Sequence, residues 1–433
     1  MMYIDNILFA IILIAGIGFF AKNVKKLSRN IKLGHDVNRS DNASARWKNM
    51  AMIALGQSKM IKRPVAGFLH IIVYAGFIII NLEVLEIIID GLFGTHRIFS
   101  FLRGFYSFLI GSFEILAVLV LVAVIVFWIR RNVIRLKRFA SSDLKGAPKK
   151  DADTILYFEM VLMSLFLIMN ATDLHFQMIN SGNVISQYIT PFFYNMDITT
   201  VEVIEKAAWW FHIIGILLFL NYLYYSKHLH ILLAFPNTYF SDLNAKGKFD
   251  NLESVTKEVK LMMDPNADPF AAQPTDAAPA KFGASDVQDL NWVQLLNAYT
   301  CTECGRCTSS CPANQTGKKL SPRKIMMDTR DRLEEVGKNM DANKGIFVPD
   351  NKSLLNDYIT AEELWACTSC NACVEECPVN ISPLSIIMDM RRYLVMEQSA
   401  APQSLNAMMT NIENNGAPWQ YNQQDRLNWK DEN

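Results

Sequence analysis

An all-α chain in two parts, a five-helix transmembrane bundle followed by a helical domain in the cytoplasm, is predicted by three observations. Hydrophobic residues fill 51% of 433 positions, more than a soluble chain usually carries. The excess is confined to residues 1–240, in runs long enough to cross a bilayer, whereas later residues read as charged, proline-containing soluble sequence. Lys and Arg, finally, are unevenly shared among the loops joining the runs.

Five runs meet the requirement of about 20 apolar residues: 3–21, 64–85, 108–129, 154–174 and 207–227. The first does not read as a cleaved signal peptide, because its positive charges (Lys22, Lys25, Lys26) follow the apolar run and no small-residue cleavage site is evident. The loop after the first run is rich in Lys and Arg, from Lys22 to Arg63, and so is the loop after the third, from Arg130 to Lys150. In contrast, 86–105 holds only Arg97 and Arg103, and 175–205 holds neither Lys nor Arg. The positive-inside rule therefore puts the N-terminus outside and the second half in the cytoplasm, in a multi-pass protein of the cell inner membrane. In that reducing compartment eight cysteines are expected as metal ligands and not as disulfides.

All eight lie in two stretches, CTECGRCTSSCP (301–312) and CTSCNACVEECP (367–378). Each reads Cys-x2-Cys-x2-Cys-x3-Cys-Pro, the bacterial two-cluster ferredoxin spacing. Three thiolates on one tight loop can face three corners of a cubane; the fourth, displaced by one more residue and steered by the proline, points away and completes the other cluster. This assigns Cys301, Cys304, Cys307 and Cys377 to one [4Fe-4S] cluster and Cys311, Cys367, Cys370 and Cys373 to the second. A zinc site of paired Cys-x2-Cys units has no need of a proline after a fourth cysteine. The segments SPRKIMMDTRDRL (321–333) and SPLSIIMDMRRYL (382–394) form an internal repeat, each opening with a Ser-Pro N-cap and first turn. A cluster motif followed by a helix, twice, predicts a small all-helical domain; methionines at helical spacing read as its core.

Histidine is rare in a membrane span unless it binds something. His212 and His230 are 18 residues apart, about five turns and about 27 Å along one face of a continuous last helix. His70, just inside the second run at its cytoplasmic end, is level with His230. Two neutral imidazoles facing each other make a bis-His haem b site, with Lys62, Arg63 and Lys227 placed for the propionates; an interhelical hydrogen bond is the alternative. A second haem would join His212 to His175 at the outer end of the fourth run, with His96 behind it. His228, about 160° round the helix from His212, is expected to face elsewhere, toward a propionate or a quinone head group. Glu83, Glu86, Asp90, Glu114, Glu159 and Asp173 lie in or at the ends of runs, where internal hydrogen bonding, interfacial placement and a proton path to quinone are alternative roles.

With these residues in view the chain resembles a fusion of two known parts. RPVAGFLH, ending at His70, and WWFHIIG…YYSKHLHILLAFP are similar to haem b subunits of the respiratory nitrate reductase gamma and heterodisulfide reductase E types. The nitrate reductase pattern has a second histidine ten residues on, where this chain has Ile80, a departure in the distal haem's ligand set. DLNWVQLLNAYTCTECGRCTSSCP and WACTSCNACVEECP resemble the heterodisulfide reductase C type, a helical two-cluster ferredoxin. Such parts also occur fused, in membrane-bound iron-sulfur oxidoreductases resembling electron-transfer-flavoprotein:menaquinone reductases. The resemblance implies a five-helix transmembrane haem b bundle (1–240), a cytoplasmic linker (241–290) rich in Ala, Pro and Asp at 262–283, an α-helical dicluster ferredoxin domain (291–398) and a docking tail (399–433). In the fused proteins a domain with CCG motifs follows the ferredoxin. IENNGAPWQYNQQDRLNW (412–429) is similar to the segment preceding it, and no cysteine follows Cys377, so the expected partners are a separate CCG-domain iron-sulfur protein and an electron-transfer flavoprotein or another soluble redox protein.

No GxGxxG, Walker or nucleophile constellation is present, and zero net charge gives no sign of nucleic-acid binding. The expected function is electron relay between a cytoplasmic partner, two [4Fe-4S] clusters, haem b and the (mena)quinone pool, with no catalytic residue assigned. A membrane scaffold or iron-sulfur redox sensor without quinone turnover is the alternative.

Overall fold

The computed structural model describes residues 2–179, 182–266 and 281–431. Its first half is built from α1 Met2–Ile31, α2 Pro64–Phe93, α3 Gly104–Asn132, α4 Ala147–Thr172 and α5 Ile198–Leu223. All five are long and apolar enough to cross a membrane. Proline opens α2 and lies in the first turn of α4, where its missing N–H costs nothing. The Asp197 carboxylate caps α5, accepting from the Thr200 N–H at 3.0 Å.

The helices close into a ring: each of α2 to α5 packs on its chain neighbour, and α1 fits between α2 and α5. Two glycines let backbones approach. A methyl at Gly91 would meet the Phe9 ring at 2.7 Å, and one at Gly215 would meet Leu162 at 2.8 Å. Phe9, Ile80, Ile110, Phe113, Phe166 and Ile213 fill the interior. Ile4, Ile7, Ile11 and Ile14 of α1, with Phe68, Phe108 and Val161 on other helices, point outward and uncovered. A belt of that size is stable in lipid and a liability in water, so this is a membrane protein.

The fifth helix departs from the sequence expectation. The apolar run 207–227 predicts helix to its end, but α5 stops at Leu223 and a short 3-10 turn, Lys227–Leu229, precedes α6 His230–Tyr239. Asp151 fixes the break, accepting from the Tyr222 hydroxyl at 2.7 Å and the Lys227 N–H at 3.1 Å. The Ser226 hydroxyl then caps the turn by accepting from the His228 N–H at 3.1 Å. Hydropathy could not register this break, because both sides of it are apolar.

The second half contains α7 Trp292–Thr300, α8 Pro322–Ala342, α9 Pro383–Met396 and α10 Gln403–Asn415. Ser321 and Ser382 cap α8 and α9 ahead of the prolines, as the repeat predicts. No strand occurs among the described residues. The structure seats this module directly against the bundle. Leu27, Leu223, Leu229 and Leu233 of the bundle share one core with Leu290, Leu295, Tyr299 and Leu333. Ion pairs rim the seam: Lys26–Asp341 at 2.6 Å, Arg323–Asp143 at 2.7 Å and Lys62–Glu375 at 2.7 Å. Of the expected linker, Glu253–Met263 is helical and 267–280 lies outside the described residues.

Candidate iron-sulfur and histidine centres

The two cysteine runs fold alike. Glu303 and Gly305 take left-handed φ of 55° and 73°, and Ser369 and Asn371, at the same positions of the second run, take 57° and 58°. These reversals curl each loop round a hollow. At Gly305 there is no room for a side chain either, since a methyl would lie 2.6 Å from an Arg323 guanidinium nitrogen.

Cys301, Cys304, Cys307 and Cys377 line one cavity, and Cys373 lines both it and the next. Cys311, Cys367, Cys370 and Cys373 line the other. Each cavity thus takes its fourth cysteine from the other run. The donor chemistry fits a cationic cluster. Burial, with neighbouring thiols adding to it, pushes the Cys301 and Cys373 thiols up to about 12 and Cys377 to about 11; a bound cation is what lets such crowded, desolvated sulfurs ionise. Backbone N–H groups already aim at them, from Ile381 to Cys377 Sγ at 3.2 Å and from Ser369 to Cys367 Sγ at 3.4 Å, bonds that tune iron-sulfur potentials. Among the described residues no three His, Cys, Asp or Glu side chains converge as one small metal ion requires.

On the bundle end facing these cradles, the His70 and His230 rings lie 6.4 Å apart between centroids. Two imidazoles ligating one metal at about 2 Å from each nitrogen have centroids about 6 Å apart, so the pair fits a shared iron. The Lys227 carbonyl lies 3.1 Å from His230 Nδ1; a proton there leaves Nε2 as the lone-pair donor. Burial holds His230 below the usual histidine range, neutral near pH 7. His70 Nδ1 is buried without a hydrogen-bond partner.

His228 does not face elsewhere. Its ring is 5.3 Å from that of His230 and its Nε2 is 3.5 Å from Glu159 Oε1, because the break after Leu223 resets the helical phase on which the 160° reckoning depended. For the same reason His212 and His230 do not share a face of one helix. Arg63 and Lys227 are also engaged differently from expectation: Arg63 pairs with Glu376 at 3.0 Å, and Lys227 with Glu303, so both cations serve the cysteine loops.

The structure does not bring His212 and His175 together. His212 is buried against Phe166 with its Nδ1 unpartnered, while His175 stands 6.1 Å from His96. The far end of the bundle is instead a polar network. Arg97 donates to Asp173 at 2.7 Å and Asn170 at 3.0 Å, Tyr106 donates to Glu86 at 2.9 Å, and Asn170 donates to Glu114 at 3.1 Å.

Several residues at the seam were not singled out from sequence. Glu303 is buried between Cys301 and Cys304 and accepts from Lys227 and, at 2.9 Å, from Arg330. Arg306 donates to the Lys59 carbonyl at 3.0 Å, on the segment leading into His70. Charge inside a cysteine loop was the available signal, but its partners lie far away in the chain.

Residues 300–381 match the 4Fe-4S dicluster domain family. Over 99% of its length the chain is 31% identical to a probable iron-sulfur-binding oxidoreductase, FadF, of Bacillus subtilis. It is 26% identical over 94% of its length to an EtfAB:quinone oxidoreductase of Syntrophomonas wolfei. A shorter stretch, 36% of the chain, is 34% identical to 25% of a probable membrane-anchored ferredoxin of Chromohalobacter salexigens. The chain spans 61% and 57% of the two long relatives. No solved structure matches. The chain is thus a homologue of membrane-associated iron-sulfur electron-transfer oxidoreductases, carrying a dicluster domain for two [4Fe-4S] clusters behind a five-helix membrane bundle.

Proposed function

We propose that this protein is a membrane-anchored electron-transfer subunit that connects a soluble redox partner, through its two iron-sulfur cradles and one haem b between His70 and His230, to a lipid quinone. The observation that carries the reading is the facing, half-buried His70–His230 pair, joined through Lys227 and Glu303 to the first cradle. When bound, the haem supplies one-electron chemistry. The chain's own part is to hold and orient. Lys227 presents its carbonyl to His230 Nδ1 and its ammonium to Glu303 of the first cysteine loop, so one residue ties the histidine to the cradle. Arg306 ties the same loop to the backbone before α2. In this reading residues 1–240 are the cytochrome b-type domain, 241–290 the linker, 291–398 the ferredoxin domain and 399–433 a docking tail, with the ferredoxin side cytoplasmic.

The quinone assignment is supported by the name of the Syntrophomonas relative, which also suggests an electron-transfer flavoprotein as the partner; a separate CCG-type iron-sulfur unit is the partner that the sequence resemblance implies. Exposed Cys370 puts the second cradle at the surface such a partner would meet. A visible spectrum tests the haem. Reduced, fully metallated protein is expected to show a b-type alpha band that His70→Ala or His230→Ala abolishes and His212→Ala or His175→Ala retains. Absence of the band in wild type would sink the proposal.

A further inference from the structure

The two cradles differ in charge far more than in shape. The first is lined by Arg306 and Arg323, both buried. Three more cations flank its loops: Arg138, whose carbonyl and Cβ stand against Gly305, Arg330, paired with Glu303 at 2.9 Å, and Lys59, whose carbonyl accepts from Arg306; their charges favour the thiolates of Cys304, Cys301 and Cys377. Against them stand Glu303, shared by Lys227 and Arg330, and Asp143, paired with Arg323. The balance is cationic. The second cavity is lined by Leu320, Pro322, Thr368, Asn371, Leu384, Ile387 and cysteines, with no charged side chain. Arg391 is the cation set against it, acting on Cys367.

A cluster with four thiolate ligands becomes one charge more negative on reduction, so fixed cations favour its reduced form and raise its potential. Water near exposed Cys370 acts in the same sense at the second site. It is the weaker effect, because solvent screens while buried guanidinium groups act through a poorly screening interior.

We propose that the cations around the first cradle, Arg138 and Arg306 foremost, make it the higher-potential site, so that the chain is built to draw electrons from the exposed second cradle toward the membrane. One electron lost by the second site is gained by the first, and no further reactant is needed. The inference rests on the two-site relay above, but haem and quinone can fail without touching it.

The test is a redox titration of the purified full chain, followed by electron paramagnetic resonance, with Cys370→Ser marking the second site's signal. The first site's signal is expected to appear at the higher potential. Arg138→Gln, at a side chain whose Nε is buried without a hydrogen-bond partner, should shift that signal to lower potential, leave the other in place, and be largely rescued by Arg138→Lys. Equal iron and sulfide content in variant and wild type makes the comparison valid; if the variant loads poorly, the wild-type order decides. A second site titrating above the first, or an Arg138→Gln protein with the first signal unmoved, would overturn the proposal. Reduction of a quinone analogue and the haem band, read separately, judge the relay itself.

Discussion

The two ends of the five-helix bundle both hold histidines beside buried carboxylates, yet they are built for opposite purposes. At the cradle end the desolvated His70 and His230 rings face each other with His228 beside them, and His70 Nδ1 is buried without a partner, while His228 leans on Glu159. At the far end His96 and His175 sit over an ion pair, Arg97–Asp173, whose every charge is answered. A histidine kept neutral by burial is available to a metal; one held against a carboxylate is committed to structure. Neighbours decide the role, and those neighbours come from other helices.

The far end offers the largest effect. Arg97→Gln would take the guanidinium partner from the buried Asp173 carboxylate, a loss that typically costs about 3–5 kcal/mol, and a thermal unfolding midpoint in detergent should fall accordingly while the haem band persists. A lost band with little loss of stability would instead make the far end the cofactor site. At the cradle end, Cys311→Ser should damage the cluster held mainly by the second run; damage confined to the first would show the crossed grouping to be wrong. Gly215→Leu would force α4 and α5 apart at Leu162, an overpacking worth about 1–3 kcal/mol, measured the same way.

The smallest effect is in pH. The Asp173 hydrogen bond holds His96 above the usual histidine range, so its contribution is full below a pH of about 6.5 and fades as pH rises through its raised value. Asp173 runs the other way: burial works to raise it, but the His96 hydrogen bond and the Arg97 charge hold it well below the usual carboxylate range. Its contribution is full above about pH 4 and fades on acidification. Wild type should lose some thermal stability above neutrality, and His96→Gln should flatten that limb of the profile.

What could be read from sequence was what depends on local spacing. The five spans were legible because each is a run of apolar residues, and the cradles because three cysteines at x2 spacing bend one loop. The Ser-Pro caps were legible for the same reason. The place of His228 was not, since it turns on Asp151 stopping α5 from a different helix. Nor were the partners of Arg63 and Lys227: adjacency to His70 and His230 suggested propionates, but Glu376 and Glu303 arrive from more than seventy residues away.

The core that runs unbroken from Leu27 and Leu233 into Leu295 and Leu333 has a kinetic meaning. A tethered domain that swings must search for its acceptor, and its turnover slows in viscous solvent. Here the gap between the first cradle and the histidine pair is set when the chain folds, so in the proposed relay passage across it should ignore viscosity, and diffusion is left to the two ends, the partner that docks beside Cys370 and the quinone.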